Sequence, residues 1–250
     1  MEQKMTGKTS IEPLGSFSIK VSDDHTFGTD AVLLADFAGR SSAEVAVDLG
    51  TGCGIIPLLL IKNEAAKSVT GVEIQSNAAA LAAENAELNG IADRFKVKNA
   101  DLKYIKDEFA AGTADLVTCN PPYKAEGTGS KNLTEAQKIA RHEVMCTLPD
   151  VVAAAARLLK FGGRLCICHR PERLCDIFCA MREKKIEPKV LREVIQRDGC
   201  EPWLVLVEGR SGGKPGLKIM PPLIVERDGC LSDEMMDIYG DYKQGRSRKV

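Results

Sequence analysis

Most of the sequence alternates short apolar runs with longer segments of helical periodicity. This alternation constrains the chain to a largely parallel sheet, because parallel neighbouring strands need a crossover connection that is usually a helix. The sequence therefore predicts an α/β fold. The predicted strands are Val45–Leu49, Ser68–Glu73, Arg94–Asp101, Ala114–Asn120 and Arg164–His169.

The segments around these strands supply the remaining predicted elements. "PWLVLVEG" and "LKIMPPLIVE", joined by the glycine-rich "RSGGKPG", predict a C-terminal antiparallel hairpin that closes the sheet. Residues 17–39 predict a strand, a turn and a short helix that begins near Asp30. The predicted helices of the main domain are Ile55–Asn63, Asn77–Leu88, Leu148–Leu159 and Pro171–Lys185.

The length and composition suit one large domain with an extension. The chain has 250 residues, of which 44% are hydrophobic. We divide it into an N-terminal extension (residues 1–40), a main domain (residues 41–240) and a basic tail (residues 241–250). No apolar run approaches the roughly 20 residues that cross a membrane, and the N-terminus lacks the apolar core of a signal peptide. We therefore predict a cytoplasmic protein.

The cysteines argue against a disulfide-stabilised protein, and the net charge argues against a surface that binds a polyanion as a whole. Nine cysteines are an odd number in a chain large enough to bury a core, so we predict free thiols rather than a disulfide framework. The cluster of Cys166, Cys168, His169, Cys175 and Cys179 lacks paired C-x-x-C spacing, and we interpret its thiols as core residues with no metal. With a net charge of −1, a polyanion would have to bind at a local basic patch.

A glycine-rich turn, "DLGTGCG", follows the first predicted strand. Gly50, Gly52 and Gly54 allow the backbone to turn tightly around Thr51 and to approach a ligand closely. The G-x-G-x-G spacing differs from the G-x-G-x-x-G of dinucleotide-binding proteins, which argues against a nicotinamide enzyme. The turn therefore predicts a ligand site of another kind.

Acidic residues at three strand ends indicate which ligand this is. Glu73 ends the second predicted strand about twenty residues further on, where a carboxylate can accept both hydroxyls of a ribose. Asp48 closes the first strand, where it could face an ammonium group, and Asp101 follows the third, where it could meet an adenine amino group. A nucleoside with an amino-acid end satisfies all three positions, and S-adenosylmethionine is such a molecule.

The stretch "VTCNPPYKAEG" ends the fourth predicted strand in a stiff turn. Pro121 and Pro122 fix their own φ angles, and the first also biases Asn120 away from the helical region. Open α/β sheets bind ligands at the carboxyl ends of their strands. We therefore expect Asn120–Tyr123 to face the methyl donor.

This turn suits methyl transfer to an exocyclic amine. The lone pair of such a nitrogen is delocalised into the base, so the amine is a poor nucleophile. The Asn120 amide oxygen and the Pro121 carbonyl could each accept one of its N–H groups, and Tyr123 could stack on the base. Catalysis would then consist mainly of proximity and hydrogen-bond placement.

In this order, "DLGTGCG", "GVE" and "NPPY" resemble the class I S-adenosylmethionine-dependent amino-methyltransferases. "FGTDAVLLADF" (Phe27–Phe37) and "ARHE" (Ala140–Glu143) are similar to segments of the bacterial tRNA1(Val) adenine-N6 methyltransferases, which modify the adenine 3′ of the anticodon. The resemblance covers nearly the whole chain. It implies a seven-stranded, Rossmann-like class I methyltransferase sheet with helices on both faces, and methyl transfer to adenine N6 in tRNA.

The resemblance also implies three groups of site residues. The donor-binding group is Gly50, Gly52, Glu73 and Asp101. The turn formed by Phe27, Gly28, Thr29 and Asp30 would cover the methionine end of the donor. Asn120, Pro121, Pro122 and Tyr123 would hold the adenine.

Several alternatives stay open at this point. The glycine and Asn-Pro-Pro-Tyr motifs also occur in guanine-N2 methyltransferases and in enzymes that methylate a glutamine amide of a release factor. A donor-binding or RNA-binding protein without activity is a third class. The polar segment Lys124–Glu143 is compatible with a lid that contacts RNA and with a loop that leads into a helix.

Overall fold

The computed structural model of the chain describes residues 8–121 and 146–243. Its strands are β1 (Thr9–Leu14), β2 (Phe17–Ser22), β3 (Ala43–Leu49), β4 (Ala66–Glu73), β5 (Phe95–Asn99), β6 (Ala114–Cys119), β7 (Leu159–His169), β8 (Ile186–Ile195), β9 (Pro202–Ser211), β10 (Lys218–Ile219), β11 (Leu223–Ile224), β12 (Glu226–Arg227) and β13 (Cys230–Leu231). Its α-helices are α1 (Thr29–Gly39), α2 (Ile55–Lys62), α3 (Ser76–Leu88), α4 (Ile105–Glu108), α5 (Leu148–Leu158), α6 (Leu174–Glu183) and α7 (Asp233–Tyr239). Short 3₁₀ turns cover Leu102–Tyr104, Pro171–Arg173 and Gly240–Lys243.

The main sheet confirms the predicted fold class. Its seven long strands follow the order β5-β4-β3-β6-β7-β9-β8, and only β9 runs antiparallel to its neighbours within this set. Helices α1, α2 and α3 pack on one face, and α4, α5 and α6 pack on the other. Strand β7 serves both layers because alternate residues point to opposite faces: Cys166 and Cys168 on one side, Leu165 and Ile167 on the other.

The C-terminal antiparallel hairpin is formed by β8 and β9, and not by β9 and the segment of β10 and β11 as predicted. Strand β9 pairs antiparallel with β7 and β8, whereas β10 and β11 are two-residue strands that pair parallel with the outer edge of β8. Pro221 and Pro222 lie between β10 and β11, and they remove the N–H donors that a continuous strand would need. The sequence analysis missed β8 because Pro188 and charged residues interrupt its apolar pattern.

Part of the cysteine interpretation is confirmed and part is wrong. The nine cysteines form no disulfide within the described residues, and Cys166 and Cys168 are buried in the core. Cys175 and Cys179 are exposed instead, because they lie one turn apart on the outer side of the surface helix α6. Within the described ranges, no helix has both the length and the apolar character needed to span a membrane.

Two asparagine side chains attach the N-terminal hairpin β1–β2 to the main domain. Asn85 lies on α3 and Asn89 is the residue that caps its C-terminal end, one turn further on. Each exchanges a pair of hydrogen bonds with the backbone of β2, at Lys20 and at Ser18, over 2.6 to 2.8 Å. Their amides therefore take the place of a neighbouring strand. Asn85 is fully buried and also donates to the carbonyl of Cys53 in the glycine turn, at 2.9 Å.

We expect Asn85→Ala to lower the free energy of unfolding by about 2–4 kcal/mol, because it leaves several buried backbone groups without their partner. Glu84→Ala is the matched control, since Glu84 on the same helix forms only a half-exposed ion pair with Lys20 (2.7 Å). That control should change stability by less than about 1 kcal/mol. Equal losses in urea denaturation of the two variants would contradict the proposed anchoring.

Candidate active site

The first and fourth strands of the main domain end side by side. Strands β3 and β6 are parallel neighbours, with Asp48 opposite Thr118 and Leu49 opposite Cys119. The chain leaves them towards opposite sides of the sheet order, so this is the topological switch point. The turns that follow the two strands open into one cleft of about 720 Å³.

The glycine turn after β3 is tied to the end of β4. The backbone N–H groups of Gly50 and Thr51 both donate to the carbonyl of Val72, at 2.8 and 3.1 Å. Gly50 and Gly52 have φ angles of 72° and 54°, which favour glycine. A Cβ on either residue would meet no described atom within 4 Å, so the backbone faces open space in the cleft wall. This is the cradle that a ligand approaching the backbone requires.

Glu73 forms the acidic part of the same wall. Its side chain is buried to 6% exposure, and its two oxygens accept hydrogen bonds from the N–H groups of Gly52 and Gln75, both at 2.9 Å. A carboxylate has about four acceptor positions, so both oxygens keep capacity for hydroxyl groups of a ligand. The carboxylate therefore fixes the glycine turn and presents acceptors to the cleft.

Asp101 holds the next strand end in place. Its Oδ1 accepts from the N–H of Lys103 at 2.9 Å, which caps the short turn after β5. Asn99 donates to the carbonyls of Glu73 and Ile74, at 2.8 and 3.0 Å, and so joins the ends of β4 and β5. The ends of β4 and β5 are therefore held in place relative to each other where they reach the cleft.

Most of the predicted site residues that the structure describes come together in this cleft. The predicted residues in its wall are Phe27, Gly28, Asp30, Gly50, Thr51, Gly52, Glu73, Asp101, Asn120 and Pro121. Pro122, Tyr123 and the segment Lys124–Glu143 lie outside the described residues, as does the "ARHE" motif.

Three of the predicted donor-binding residues, Thr29, Gly54 and Asp48, are not among the residues that line the described cleft. The Thr29 hydroxyl hydrogen-bonds the Tyr239 hydroxyl at 2.8 Å, so the side chain faces α7. Gly54 packs against Phe95, where a Cβ would lie 2.8 Å from the ring. The third is Asp48, which is only 1% exposed beneath the glycine turn.

The burial of Asp48 changes its protonation. Burial raises the pKa of Asp48 from 3.8 to about 7, and the hydrogen bond that its Oδ1 accepts from the Thr118 hydroxyl (2.6 Å) opposes this rise only in part. Oδ2 has no hydrogen-bond partner among the described residues. Between the two pKa values the folded protein holds a proton that the unfolded chain releases, so folding weakens as the pH rises through this range.

We expect Asp48→Asn to gain stability relative to the unsubstituted protein between about pH 4 and about pH 8, because the amide carries no charge to bury. The gain should reach at most about 4 kcal/mol. Asp115→Asn is a control of opposite sign: burial raises the pKa of Asp115, but the hydrogen bond and charge of Lys160 together with the backbone hydrogen bonds at Val45 and Glu44 outweigh it, and the pKa is lowered. Urea denaturation over this pH range should show the two trends diverging, and parallel trends would contradict the argument.

Asn120 is held at both ends of its amide. Its Nδ2 donates to Oδ2 of Asp30 at 3.1 Å, and its Oδ1 accepts from the thiol of Cys168 at 3.1 Å. Asp30 is in the first turn of α1, and Cys168 is buried on β7. Three distant parts of the chain therefore meet at this side chain.

The sequence analysis missed the apolar parts of the wall. Ile74 and Leu102 line the cleft, and each directly follows a predicted acidic residue at a strand end. That position is the signal that could have found them. The cleft also includes the loop of residues 23–26 and Arg170, for which the sequence carries no distinctive pattern.

A switch-point cleft with a glycine turn and a carboxylate at the end of the next strand is typical of α/β proteins that bind a nucleoside or nucleotide. The family model of the methyltransferase small domain matches residues 11–178. The chain belongs to this family, and S-adenosylmethionine is its methyl donor.

Curated relatives narrow the family further. A protein of Aeromonas hydrophila named tRNA1(Val) (adenine(37)-N6)-methyltransferase is 30% identical over 213 residues, which are 84% of this chain and 87% of the relative. A protein of Porphyromonas gingivalis with the same name is 32% identical over 211 residues, or 79% and 82% of the two chains. A solved structure, a predicted O-methyltransferase from Agrobacterium tumefaciens, shares the fold with a TM-score of 0.69 at 22% identity, and covers 86% of this chain and 97% of its own.

Proposed function

We propose that the protein methylates the exocyclic N6 of an adenine in tRNA, namely the adenine 3′ of the anticodon in tRNA(Val). The observation that carries the proposal is the position of Asn120 and Pro121, which share one cleft with the glycine turn and Glu73. The names of the relatives from Aeromonas hydrophila and Porphyromonas gingivalis support the choice of acceptor.

Residues of this chain would hold the donor along the cleft. Glu73 would accept the ribose hydroxyls, and Ile74 and Leu102 would flank the adenine beside Asp101. The backbone of the glycine turn would pack against the donor. We also propose that residues 1–40 form an extension that covers the methionine end, because Phe27 and Gly28 line the cleft.

The acceptor amine would be placed by the turn after β6. S-adenosylmethionine supplies a methyl group whose bond to a positively charged sulfur is weak. The Asn120 Oδ1 and the Pro121 carbonyl would accept the two N–H groups of the amine, which directs its lone pair towards the methyl group. Tyr123, from the motif, would stack on the base. As the N–C bond forms, the S–C electron pair stays on sulfur and the amine then loses a proton to solvent.

The proposed reaction is tested by the product that it leaves in RNA. The protein is incubated with methyl-labelled donor and total bacterial tRNA, and the RNA is digested to nucleosides. The expected label is in N6-methyladenosine, and it should vanish from a tRNA(Val) transcript in which guanine replaces the adenine 3′ of the anticodon. Label in guanine, or only in a release factor added as an alternative acceptor, would overturn the proposal.

A tRNA acceptor also predicts a strong effect of salt. The chain has a net charge of −1, so phosphates would be met locally, with Arg170 already in the cleft wall. We expect the apparent tRNA affinity to fall steeply, and linearly on a double-logarithmic plot, between about 50 and 200 mM salt. Donor affinity from calorimetry is the control and should change little. An equally flat response for tRNA would indicate a smaller or protein acceptor.

The alternative of an inactive donor-binding protein is disfavoured by the intact Asn120 and Pro121. A tRNA acceptor also supports the cytoplasmic location that the sequence suggests.

A further inference from the structure

An asparagine amide has two chemically different ends, and only one of them suits an amine acceptor. Its oxygen accepts hydrogen bonds, whereas its nitrogen donates them. If the Asn120 amide rotated by half a turn, it would present N–H groups to the N–H groups of the acceptor base. The orientation of this amide therefore decides whether the turn after β6 attracts or repels the amine.

Two described contacts of the Asn120 amide agree on its orientation: the Asp30 carboxylate selects it, and the Cys168 thiol, which can donate or accept, fits it. The carboxylate oxygen of Asp30 accepts from Nδ2 at 3.1 Å, which places the nitrogen end of the amide on the Asp30 side. The thiol of Cys168 donates to Oδ1, also at 3.1 Å. A carbonyl oxygen has two lone pairs, so it can accept hydrogen bonds from more than one donor.

Local structure holds the Asp30 carboxylate in place for this contact. Its Oδ1 accepts from the N–H of Ala31 at 3.0 Å, so the side chain is folded back over the first turn of α1 while Oδ2 reaches Asn120. The absence of a side chain at Gly28 provides the space for this carboxylate, since a Cβ there would overlap Asp30 Oδ1. The hydrogen bond between the Thr29 and Tyr239 hydroxyls also ties the N-terminal end of α1 to α7.

We propose that Asp30 is a positioning residue for the methyl acceptor, and that it acts by orienting and polarising the Asn120 amide rather than by binding the donor. This inference rests on the proposed function, because it concerns the same cleft. The negative charge of the Asp30 carboxylate beside Nδ2 pushes electron density of the amide onto Oδ1, which makes that oxygen a better acceptor. The amine gains positive charge as the methyl group arrives, so the effect is largest in the transition state.

Asp30→Asn is the direct test, because an asparagine at this position can pair with either end of the Asn120 amide. We expect the single-turnover rate of tRNA methylation to fall by about tenfold or more, with donor affinity in calorimetry unchanged. In the Asn120→Ala background the same substitution should have almost no further effect, since the two residues act as a unit. Asp36→Asn is the matched control, because Asp36 is a carboxylate on the same helix that lies outside the cleft wall.

Fully multiplicative rate losses, or a loss of donor affinity that accounts for the slower rate, would overturn the proposal.

A measurement without substrate tests the orienting contact separately from the proposed reaction. In protein labelled with ¹⁵N-asparagine, the Asn120 side-chain signal, assigned through Asn120→Ala, should shift in Asp30→Asn and stay in place in Asp36→Asn. An unmoved signal would refute the orienting contact even if tRNA is methylated. A moved signal in a protein that does not methylate tRNA would uphold the contact and refute the acceptor.

Discussion

Asn120→Ala is expected to lower the rate of methyl transfer by at least about a hundredfold at saturating donor and acceptor, while the affinity for S-adenosylmethionine stays unchanged. The substitution removes an acceptor that matters only when the amine is in place, and the loss of one such placed polar group costs about this much. The donor contacts lie on other parts of the wall, at the glycine turn and Glu73.

The measurement for Asn120 combines single-turnover kinetics with calorimetry. Asn63→Ala is the control, because Asn63 is an exposed asparagine at the end of α2 and outside the cleft wall. It should behave like the unsubstituted protein in both assays. Near-normal turnover by Asn120→Ala would remove this residue from the mechanism, and a parallel loss of donor affinity would turn it into a donor-binding residue.

Glu73→Ala should have the complementary effect and weaken donor binding by roughly ten- to a hundredfold. Two charge-assisted hydrogen bonds hold the glycine turn and the chain at Gln75 through this carboxylate, and one hydrogen bond to a charged group is worth about 1.5–3 kcal/mol, which matches the expected loss if the ribose loses one such bond. The variant would lose both the ribose acceptors and the anchor of the turn.

Glu73→Gln should also bind the donor poorly. Both oxygens of Glu73 accept from backbone N–H groups, so an amide must turn its NH₂ towards one of these donors. Glu87→Ala, at an exposed position on α3, is the control. Calorimetry that gives the same dissociation constant for Glu73→Ala and Glu87→Ala would remove Glu73 from the donor site.

The part of the site that follows directly from strand ends could be predicted from the sequence. In a parallel sheet the carboxyl ends lie at one edge, so an apolar run followed by a special turn places that turn. This argument correctly brought Glu73, Asp101 and Asn120 into one cleft with the glycine turn. This prediction requires only that each motif directly follows a strand, which can be read from a short stretch of sequence.

The parts that depend on where one side chain points could not be predicted in this way. Asp48 is the residue before the end of β3, whereas Glu73 ends β4, and the Asp48 carboxylate accepts a hydrogen bond from the Thr118 hydroxyl. The contact between Asp30 and Asn120 joins residues 90 positions apart, and no local pattern encodes it. Strand β8 was missed because Pro188 and charged residues interrupt its apolar pattern, although most of its residues are buried.

The most direct test of this account is a crystal structure of the protein with bound S-adenosylmethionine. The account predicts the ribose at Glu73, the methionine end against the glycine turn, and the methyl group directed at the space in front of Asn120 Oδ1. A donor bound outside this cleft, or one whose methyl group faces away from Asn120, would contradict the shared site from which the proposed chemistry follows.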